Sequence, residues 1–380
     1  MPKKKILIVF GTRPEAIKMA PLVLALKKEE KYFQVNVCVT AQHREMLDQV
    51  LDVFKIKPDI DLNLMKPKQD LFDITTSVLN SMKTVLNSIK PDILLVHGDT
   101  TTAAAAAMAA FYLNIQVAHV EAGLRTHDLN SPFPEEFNRQ LISKLADIHF
   151  CPTDKSSQNL LDERVTPEKI FVTGNTVIDA LFWVLKKIDE DENRAKSITK
   201  YLEVALGLTP CIKPFILVTG HRRENFGAGF EQICAGLKKL AIKYKNFNFI
   251  YPTHLNPNVQ APVNKILSNT ENVYLTPPID YEPFIYLLKN CYLVLTDSGG
   301  IQEEAPSIGK PVLVMRNLTE RGEALTAGTV RLVGTDEDEI FNRTSELIEN
   351  KSVYKSMSEA HNPYGDGKAC DRIVSKLKEK

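Results

Sequence analysis

The sequence lacks the features that mark several large classes of protein. Lys plus Arg and Asp plus Glu each total 47, so no excess of one charge attracts nucleic acid or an anionic membrane. The apolar run Ile6–Phe10, after the basic amino terminus, stops at Gly11 and is too short for a signal peptide. No other apolar run approaches the length of a transmembrane helix. An anionic ligand must therefore be bound by local features of the fold.

Cysteine is scarce, and familiar cofactor signatures are missing. The six cysteines are scattered, with no close pair of the kind that forms a zinc site or a redox motif. We therefore expect reduced thiols, no metal and a cytoplasmic location. No G-x-G-x-x-G follows a predicted strand, and no Walker A motif occurs. Nicotinamide and P-loop chemistry are thus disfavoured, and we expect no cofactor.

Short β-rich apolar runs alternate with stretches of helical periodicity, which predicts an α/β protein built on parallel sheets. In the first half the predicted strands are Ile6–Phe10, Gln34–Thr40, Ile93–His97, Gln116–Val120, Ile148–Cys151 and Ile170–Val172. In the second half they are Phe215–Thr219, Asn248–Tyr251, Val273–Leu275, Leu293–Thr296, Pro311–Met315 and Val330–Val333. The length favours two domains, each of them doubly wound.

The stretch Lys186–Lys200 is dense in charge of both signs and is followed by Pro210 and Pro214. Such a stretch is typical of a solvated helix end or a connector. We place the inter-domain region here.

The first predicted strand leads into a turn that suits an anion. Gly11 is followed by Thr12, a good helix N-cap, with Arg13 and Lys18 beside the start of the helix. A helix amino terminus flanked by cations favours a phosphate or a carboxylate. A well-capped helix with solvated charges explains the motif equally well.

Acidic residues follow the next two strands of the first half. Asp99 comes after Ile93–His97, where it could cap the following helix instead of acting on a ligand. Glu121 lies at the end of the next strand, and Glu135 and Glu136 begin a helix, where glutamates usually serve as dipole partners. If these segments converge at one sheet edge, they could supply acid and base to opposite faces of one substrate.

In the second half, His221 and two neighbouring arginines follow a predicted strand, which favours contact with a diphosphate over a structural role. Arg321, after a later strand, could close on the same anion or simply be a solvated loop residue. Phe284, at the start of the predicted helix Pro283–Asn290, could face a base ring or pack into a core.

A small glycine-containing turn after Leu293–Thr296 is the most informative local pattern. Ser298, Gly299 and Gly300 lead into a helix whose amides could approach a diphosphate, and Glu304 could accept hydrogen bonds from ribose hydroxyls. A tight turn that needs glycine for packing is the alternative.

Eight segments occur in a characteristic order along the chain. They are Phe10-Gly-Thr-Arg-Pro-Glu-Ala-Ile-Lys-Met-Ala-Pro, Gln42-His-Arg-Glu-Met-Leu, His97-Gly-Asp-Thr, Val120-Glu-Ala-Gly-Leu-Arg-Thr, Thr173-Gly-Asn-Thr, Thr219-Gly-His-Arg-Arg-Glu-Asn, Asp297-Ser-Gly-Gly-Ile-Gln-Glu-Glu and Asn362-Pro-Tyr-Gly-Asp-Gly. Together they resemble the non-hydrolysing UDP-N-acetylglucosamine 2-epimerases of bacteria and archaea. The resemblance covers the chain from Ile6 to residue 367, and a series of motifs in this order is highly specific.

The resemblance implies a GT-B fold, in which two Rossmann-like domains with doubly wound parallel sheets face a deep cleft. The first domain would comprise residues 1–178 and a returning helix in 362–380, and the second residues 179–361. It also implies a homodimer that interconverts UDP-GlcNAc and UDP-ManNAc, supplying ManNAc-type sugars for cell-surface polysaccharide. The family reaction eliminates UDP to give 2-acetamidoglucal and then adds it back. Elementary chemistry agrees, because a C2 hydrogen without an adjacent carbonyl leaves only if a stabilised diphosphate leaves as well.

Family roles are carried over to the matching positions. The residues that resemble the catalytic group are Asp99, Glu121, Glu135 and His221. Those that resemble the UDP-sugar contacts are Arg13, Lys18, Asp99, Glu121, His221, Phe284, Ser298, Gly299, Gly300, Glu304 and Arg321. Those that resemble the site of an activating second UDP-GlcNAc are Gln42, His43, Arg44 and His254. Ile279 departs from the pattern, since many relatives have a polar residue there.

Three other functions are consistent with parts of the pattern. A hydrolysing epimerase would share most site residues and release ManNAc and UDP. A GT-B glycosyltransferase would need one base and an acceptor groove, and the three carboxylates argue against it. A non-catalytic nucleotide-sugar sensor would keep the diphosphate motifs and lose the carboxylates, which are retained here.

Overall fold

The computed structural model describes residues 2–41, 44–66, 68–207, 209 and 212–379. The chain divides into two compact units. The first comprises Met1–Ala180 with Tyr364–Lys380, and the second comprises Leu181–Pro363.

Within the described residues, the first unit is built on a seven-stranded parallel sheet with the order β3-β2-β1-β4-β5-β6-β7. Its strands are β1 (Lys4–Phe10), β2 (Phe33–Val39), β3 (Ile60–Asp61), β4 (Ile93–His97), β5 (Gln116–Val120), β6 (Ile148–Cys151) and β7 (Ile170–Val172). Its helices, up to the one that leads into the second unit, are α1 (Arg13–Lys28), α2 (Arg44–Phe54), α3 (Leu71–Ile89), α4 (Thr101–Tyr112), α5 (Glu135–Leu145), α6 (Asp154–Asp162) and α7 (Thr176–Glu190).

The core of the first unit explains why these segments take these forms. All five residues of β4 are buried, as expected of a parallel strand covered on both faces. Helix α4 is rich in alanine, and Ala103–Ala107 lie in one apolar cluster with Val78 and Met82 of α3. Small side chains let α4 approach both the sheet and α3 closely.

The described part of the second unit has a six-stranded parallel sheet with the order β10-β9-β8-β11-β12-β13. Its strands are β8 (Phe215–Thr219), β9 (Asn248–Pro252), β10 (Val273–Thr276), β11 (Leu293–Thr296), β12 (Val312–Val314) and β13 (Val330–Leu332). Its helices are α8 (Glu192–Leu206), α9 (Ala228–Lys243), α10 (Pro257–Leu267), α11 (Tyr281–Asn290), α12 (Gly299–Glu304), α13 (Gly322–Ala327), α14 (Glu337–Glu349) and α15 (Lys351–Ser358).

In both sheets the strand order reverses once, between β1 and β4 in the first unit and between β8 and β11 in the second. Ligands of open parallel sheets bind beyond the carboxyl ends of the strands at this reversal, where the two following turns diverge. The topology therefore defines one place in each unit at which to look for a site.

The chain returns to the first unit to form a last helix, α16 (Ala369–Glu379). Its first turn is held by the buried carboxylate of Asp179, which accepts hydrogen bonds from the backbone N–H groups of Ala369 (3.1 Å) and Cys370 (2.9 Å). Near its other end, Lys4 Nζ donates to the carbonyl of Leu377 at 2.8 Å. Burial raises the pKa of Asp179, so these hydrogen bonds offset only part of the cost of removing its charge from water.

The strands predicted from the apolar runs are all present, and several agree residue for residue, among them β4 to β8 and β11. The two-residue strand β3 was missed because so short a segment has no periodicity. Lys186–Lys200 is not a connector, since it forms the end of α7 and the start of α8. The passage between units falls at Ala180–Leu181, inside α7, where buried apolar residues keep the helix continuous.

The helix predicted as Pro283–Asn290 begins two residues earlier, at Tyr281. Among the helices of the described ranges, none has both the length and the apolar character required to cross a bilayer.

Candidate active site

The turn after β1 is organised by a buried carboxylate, Glu15. Its Oε2 accepts hydrogen bonds from the backbone N–H groups of Gly11 (3.0 Å) and Thr12 (2.8 Å) and from the Thr12 hydroxyl (2.8 Å). Thr100 Oγ1, after β4, donates to Glu15 Oε1 at 2.7 Å. Glu15 therefore ties together the two turns at the strand reversal. Sequence analysis missed this role, although the capping-box spacing from Thr12 to Glu15 was visible.

Asp99 lies in the turn after β4 and is bound by α5. Arg139 Nε and Nη2 lie 2.9 and 2.7 Å from Asp99 Oδ2, and Asn138 Nδ2 donates to the Asp99 carbonyl at 2.8 Å. The alternative that Asp99 caps α4 is wrong, because Thr100 Oγ1 accepts the hydrogen bond from Ala103 N. The Asp99 side chain is 25% exposed, so a ligand can reach it.

Glu121 lies directly after β5 in a left-handed backbone conformation, with φ of +61°. A residue other than glycine in this region costs about 1–3 kcal/mol, and such residues cluster at functional sites. Lys18 Nζ forms an ion pair with Glu121 Oε2, and Asn175 Nδ2 donates to the same oxygen at 2.9 Å. His97 Nε2 lies 3.7 Å from it. Cationic, amide and imidazole groups thus surround one largely buried carboxylate.

The two glutamates at the start of α5 have different environments. Glu136 is fully buried and accepts hydrogen bonds from the backbone N–H of Thr126 (3.0 Å), from Gln140 (3.0 Å) and from Arg139 (3.1 Å). Burial alone would raise the pKa of Glu136, but these donors lower it overall. Glu135 is half-buried, and within the described residues its side chain forms no hydrogen bond or ion pair. Glu136 therefore supports the loop, and Glu135 remains accessible for chemistry.

Three buried histidines lie on neighbouring strands beside the acidic segments. His97 ends β4, His119 lies on β5, and His149 on β6 pairs directly with His119. His119 Nε2 lies 2.7 Å from the carbonyl of Gly98. Burial lowers the pKa of His97 and His119 to about 4 and that of His149 to about 3. All three are therefore neutral at physiological pH.

This row of histidines predicts acid sensitivity of the fold. Unfolded histidine has a pKa near 6.5, so the unfolded chain binds more protons than the folded chain between about pH 4 and that value. The free energy of unfolding should fall as the pH drops through this window, by up to about 1.4 kcal/mol per pH unit for each histidine. His149→Leu should reduce the slope of the free energy of unfolding against pH by the contribution of one histidine. Urea denaturation between about pH 7 and about pH 5 would measure the change. An unchanged slope would contradict the burial of a neutral imidazole.

The second unit's strand reversal is organised by Asp297, directly after β11. Its Oδ2 accepts hydrogen bonds from the backbone N–H groups of His221 and Arg222, both at 2.8 Å, and lies 3.5 Å from Asn225 Nδ2. Oδ1 is buried, has no hydrogen bond within the described residues, and lies 3.7 Å from His221 Nδ1. The sequence motif alone assigns no role to Asp297, although its place directly after a strand of the second sheet is a usable signal.

The His221 ring is partly exposed and stacks on His254, with ring centroids 5.4 Å apart and planes 16° apart. Burial lowers the pKa of His221, Asp297 raises it, and Arg222 and His254 lower it further. The net direction is downward, which favours a neutral imidazole beside the buried carboxylate.

The glycine turn after β11 places Ser298 as the N-cap of α12, and its side chain makes no capping hydrogen bond. A Cβ on Gly299 would lie 3.1 Å from Glu320 Oε1, so glycine is also favoured there by packing. Glu304, at the end of α12, is buried and lies 3.4 Å from the hydroxyl of Tyr281. The packing use of glycine is therefore present at Gly299, and contact of the turn with a diphosphate stays a prediction.

Arg321 is not a solvated loop arginine. Its Nε donates to the buried Glu303 at 2.5 Å, and its Nη1 lies 3.5 Å from Glu320 Oε1. Arg316 also pairs with Glu320, at 2.9 Å. Burial would raise the pKa of Glu320, but the neighbouring arginines lower it to about 2. An anion that binds Arg321 would therefore contact a guanidinium whose charge is already paired with two carboxylates.

The remaining predicted site residues occupy varied places. Phe284 is half-buried in the first turn of α11, and Ile279, just before that helix, is buried. Arg13 begins α1 and is half-buried. Arg44 begins α2 and pairs with Asp48 and Asp61, whereas Gln42 and His43 lie outside the described residues. In the described ranges, no group of three or more His, Cys, Asp or Glu residues is arranged to hold a metal ion.

Comparison with known proteins shows the family to which the chain belongs. Residues 25–378 match the family model described as UDP-N-acetylglucosamine 2-epimerase. The UDP-N-acetylglucosamine 2-epimerase of Escherichia coli K12 is 57% identical over 98% of both chains. The chain belongs to the UDP-N-acetylglucosamine 2-epimerase family. The family predicted from the motifs is thereby confirmed.

Solved structures of the epimerase family confirm the fold class. The UDP-GlcNAc 2-epimerase of Neisseria meningitidis, solved bound to UDP-GlcNAc, is 52% identical and superimposes with a TM-score of 0.91 over 99% of this chain and 100% of that one. The Methanocaldococcus jannaschii enzyme, solved in complex with UDP-GlcNAc and UDP, is 31% identical with a TM-score of 0.81 over the same shares.

Proposed function

We propose that the protein catalyses the reversible conversion of UDP-GlcNAc to UDP-ManNAc by inverting C2 of the sugar. The observation that carries this proposal is the pair of carboxylates that follow β4 and β5 of the first unit, with Asp99 paired to Arg139 and Glu121 paired to Lys18. Family membership indicates the substrate. The second unit offers His221 and the amides of the glycine turn for the nucleotide.

The reaction we propose has two halves. In the first, a carboxylate removes the C2 proton, the C–H electrons form the C1–C2 double bond, and the C1–O bond breaks so that UDP leaves with the bonding pair. In the second, UDP adds back at C1 and a proton is delivered to the opposite face of C2. No net oxidation occurs, so the protein must supply only proton carriers and binding groups for the diphosphate.

For the proton transfers we propose Asp99, Glu121 and Glu135. Two of them form ion pairs, Glu121 with Lys18 and Asp99 with Arg139. Their positions on the turn after β4, the turn after β5 and the start of α5 provide groups from three different segments. This diversity suits a reaction that needs proton transfer on both faces of one carbon.

For the nucleotide we propose contacts from the second unit. The family resemblance also assigns Arg13 and Lys18 of the first unit to the UDP-sugar. His221 and the amides after Ser298 would meet the diphosphate, Glu304 the ribose and Phe284 the uracil. Because Arg321 is already paired with Glu303, we expect it to orient the diphosphate more than to neutralise it. The second-unit groups would stabilise the departing UDP, whose charge grows as the C1–O bond breaks.

Proton NMR of the protein with UDP-GlcNAc in D2O tests the proposal. We expect new anomeric signals of UDP-ManNAc and deuterium at C2 of both sugars. Free ManNAc with UDP would instead indicate a hydrolysing epimerase. Unchanged substrate would leave a glycosyltransferase or a sensor.

We also propose that a second UDP-GlcNAc activates the enzyme, through Gln42, His43, Arg44 and His254. The supporting contact is the stacking of His254 on His221, since a ligand of His254 would touch a residue of the reaction site. Initial rates should then depend sigmoidally on substrate concentration, and His254→Ala should abolish the sigmoidal dependence.

From the family, we further propose that the protein is a homodimer and that it lies in the cytoplasm. Sedimentation of the purified protein would test the homodimer.

A further inference from the structure

The side chain of Asn175 connects Glu121 with the start of α7. Its Nδ2 donates to Glu121 Oε2 at 2.9 Å, and its Oδ1 accepts a hydrogen bond from the backbone N–H of Val177 at 3.1 Å. Asn175 is only 2% exposed. It belongs to the motif Thr173-Gly-Asn-Thr, to which the proposed reaction assigns no role.

The returning carboxyl-terminal segment holds the backbone of Asn175. Asn175 N donates to the carbonyl of Tyr364 at 2.8 Å, and the Tyr364 side chain is buried. Next to this contact Gly174 and Gly365 meet, with φ of +89° and +131°. A Cβ on Gly365 would lie 3.4 Å from Gly174 Cα and 3.5 Å from Asn175 N, so the two backbone segments are in direct contact. Tyr364 and Gly365 of the last motif therefore lie against the residue that binds Glu121.

Several groups face Glu121 from different elements. Lys18 approaches from α1, His97 from the end of β4, and His119 on β5 also interacts with its charge. Both histidines are neutral at physiological pH, so Lys18 is the cation among these groups of the described residues. Lys18 and Asn175 both bind Oε2, and two donors on one oxygen restrict rotation of the carboxylate plane.

We infer that Asn175 is a positioning residue that holds the Glu121 carboxylate in its reactive orientation, and that the segment Tyr364–Gly365 keeps Asn175 in place. The inference rests on the proposed function, since it assumes that Glu121 carries a proton. The carboxyl-terminal segment would then contribute to the acid/base site by fixing the residue that orients Glu121.

A simpler role for Asn175 is to cap α7, since its Oδ1 binds an amide of the first turn. Asn175→Asp separates the two roles, because aspartate caps helices about as well as asparagine but cannot donate to Glu121. It also places a second negative charge beside Glu121, which should raise the pKa at which Glu121 loses its proton. Asn175→Ser keeps a capping oxygen without adding that charge.

We expect Asn175→Asp to lower kcat by about 10²-fold, with KM changed by less than about threefold and with the acid limb of the kcat–pH profile moved upward by about one pH unit. Asn175→Ser should lower kcat by about tenfold and keep the wild-type melting temperature within about 3 °C. Asn175→Asp should also lower the melting temperature, because it adds a charge at a buried position beside Glu121. A wild-type kcat and pH profile in Asn175→Asp would overturn the inference. So would a loss of activity in Asn175→Ser that only follows a lowered melting temperature.

The role of the carboxyl-terminal segment has its own test. Gly365→Ala should lower kcat about tenfold, because a strained side chain there displaces the backbone that holds Asn175. Gly207→Ala, at φ of +67° with open space around it, is the matched control and should keep wild-type kcat. Equal kcat in the two variants would contradict a role for this segment. Wild-type protein that forms no UDP-ManNAc would refute the proposed function itself, which distinguishes the two failures.

Discussion

Replacing Glu121 by glutamine is expected to lower kcat for C2 epimerisation by about 10²- to 10⁴-fold, the range that one proton carrier contributes. Glutamine has the same shape but cannot accept the C2 proton, and it leaves Lys18 without the carboxylate that it pairs with. Affinity for UDP should change by less than about threefold, because the proposed nucleotide contacts lie mainly in the second unit. Deuterium incorporation at C2, followed by NMR, and calorimetric titration with UDP measure the two effects separately.

Glu163→Gln is a suitable control for this variant. Glu163 also pairs with a cation of the first unit, Arg125, at 2.6 Å, but neither residue has a role in the proposed chemistry. We expect this substitution to affect stability and to leave kcat near the wild-type value. If Glu121→Gln retained more than about a tenth of wild-type kcat, Glu121 would not be a proton carrier.

Replacing Asp297 by alanine is expected to weaken UDP binding by about 10²-fold. The backbone N–H groups of His221 and Arg222 share Asp297 Oδ2 as their acceptor, so without it the turn that presents His221 to the diphosphate loses its fixed position. A loss of about 2.7 kcal/mol corresponds to a hundredfold change in the dissociation constant. Calorimetric titration with UDP measures it directly.

Asp297→Asn tests the same residue with less disturbance. It retains one acceptor oxygen and removes the charge that faces His221, so we expect an affinity between those of the wild type and the alanine variant. Circular dichroism should show folded protein in both cases. If the variants kept wild-type UDP affinity but melted at a lower temperature, Asp297 would stabilise the turn without contributing to UDP binding.

The strand ends could be located from sequence because apolar runs stop at small or polar residues. β4 ends before Gly98 and β11 before Asp297, and both ends were predicted to the residue. The partners of the site residues could not be predicted in this way. Asn175 lies 54 positions from Glu121, and a pairing over that separation leaves no local pattern.

The choice between two neighbouring caps was also beyond local reasoning. Asp99 and Thr100 both suit an N-cap, and the ion pair between Asp99 and Arg139, 40 positions away, leaves the cap to Thr100. For the same reason Glu15 was overlooked: its bond to Thr100 joins two turns that are far apart in the chain. Motifs thus located the site, and tertiary contacts define how its groups are arranged.

The docking of α16 has a consequence for synthesis. Lys4, at the start of β1, donates a hydrogen bond to Leu377 near the end of the chain. Asp179 can accept its hydrogen bonds from the backbone N–H groups of Ala369 and Cys370 only after those residues have been synthesised. A ribosome adds about 5–20 residues per second, so the first strand exists for tens of seconds before its last partner helix emerges. A nascent chain can complete the second unit's sheet while the first unit still lacks α16. A product truncated before Tyr364 would therefore keep its nucleotide-contact residues but lack the last helix of the unit that carries the carboxylates.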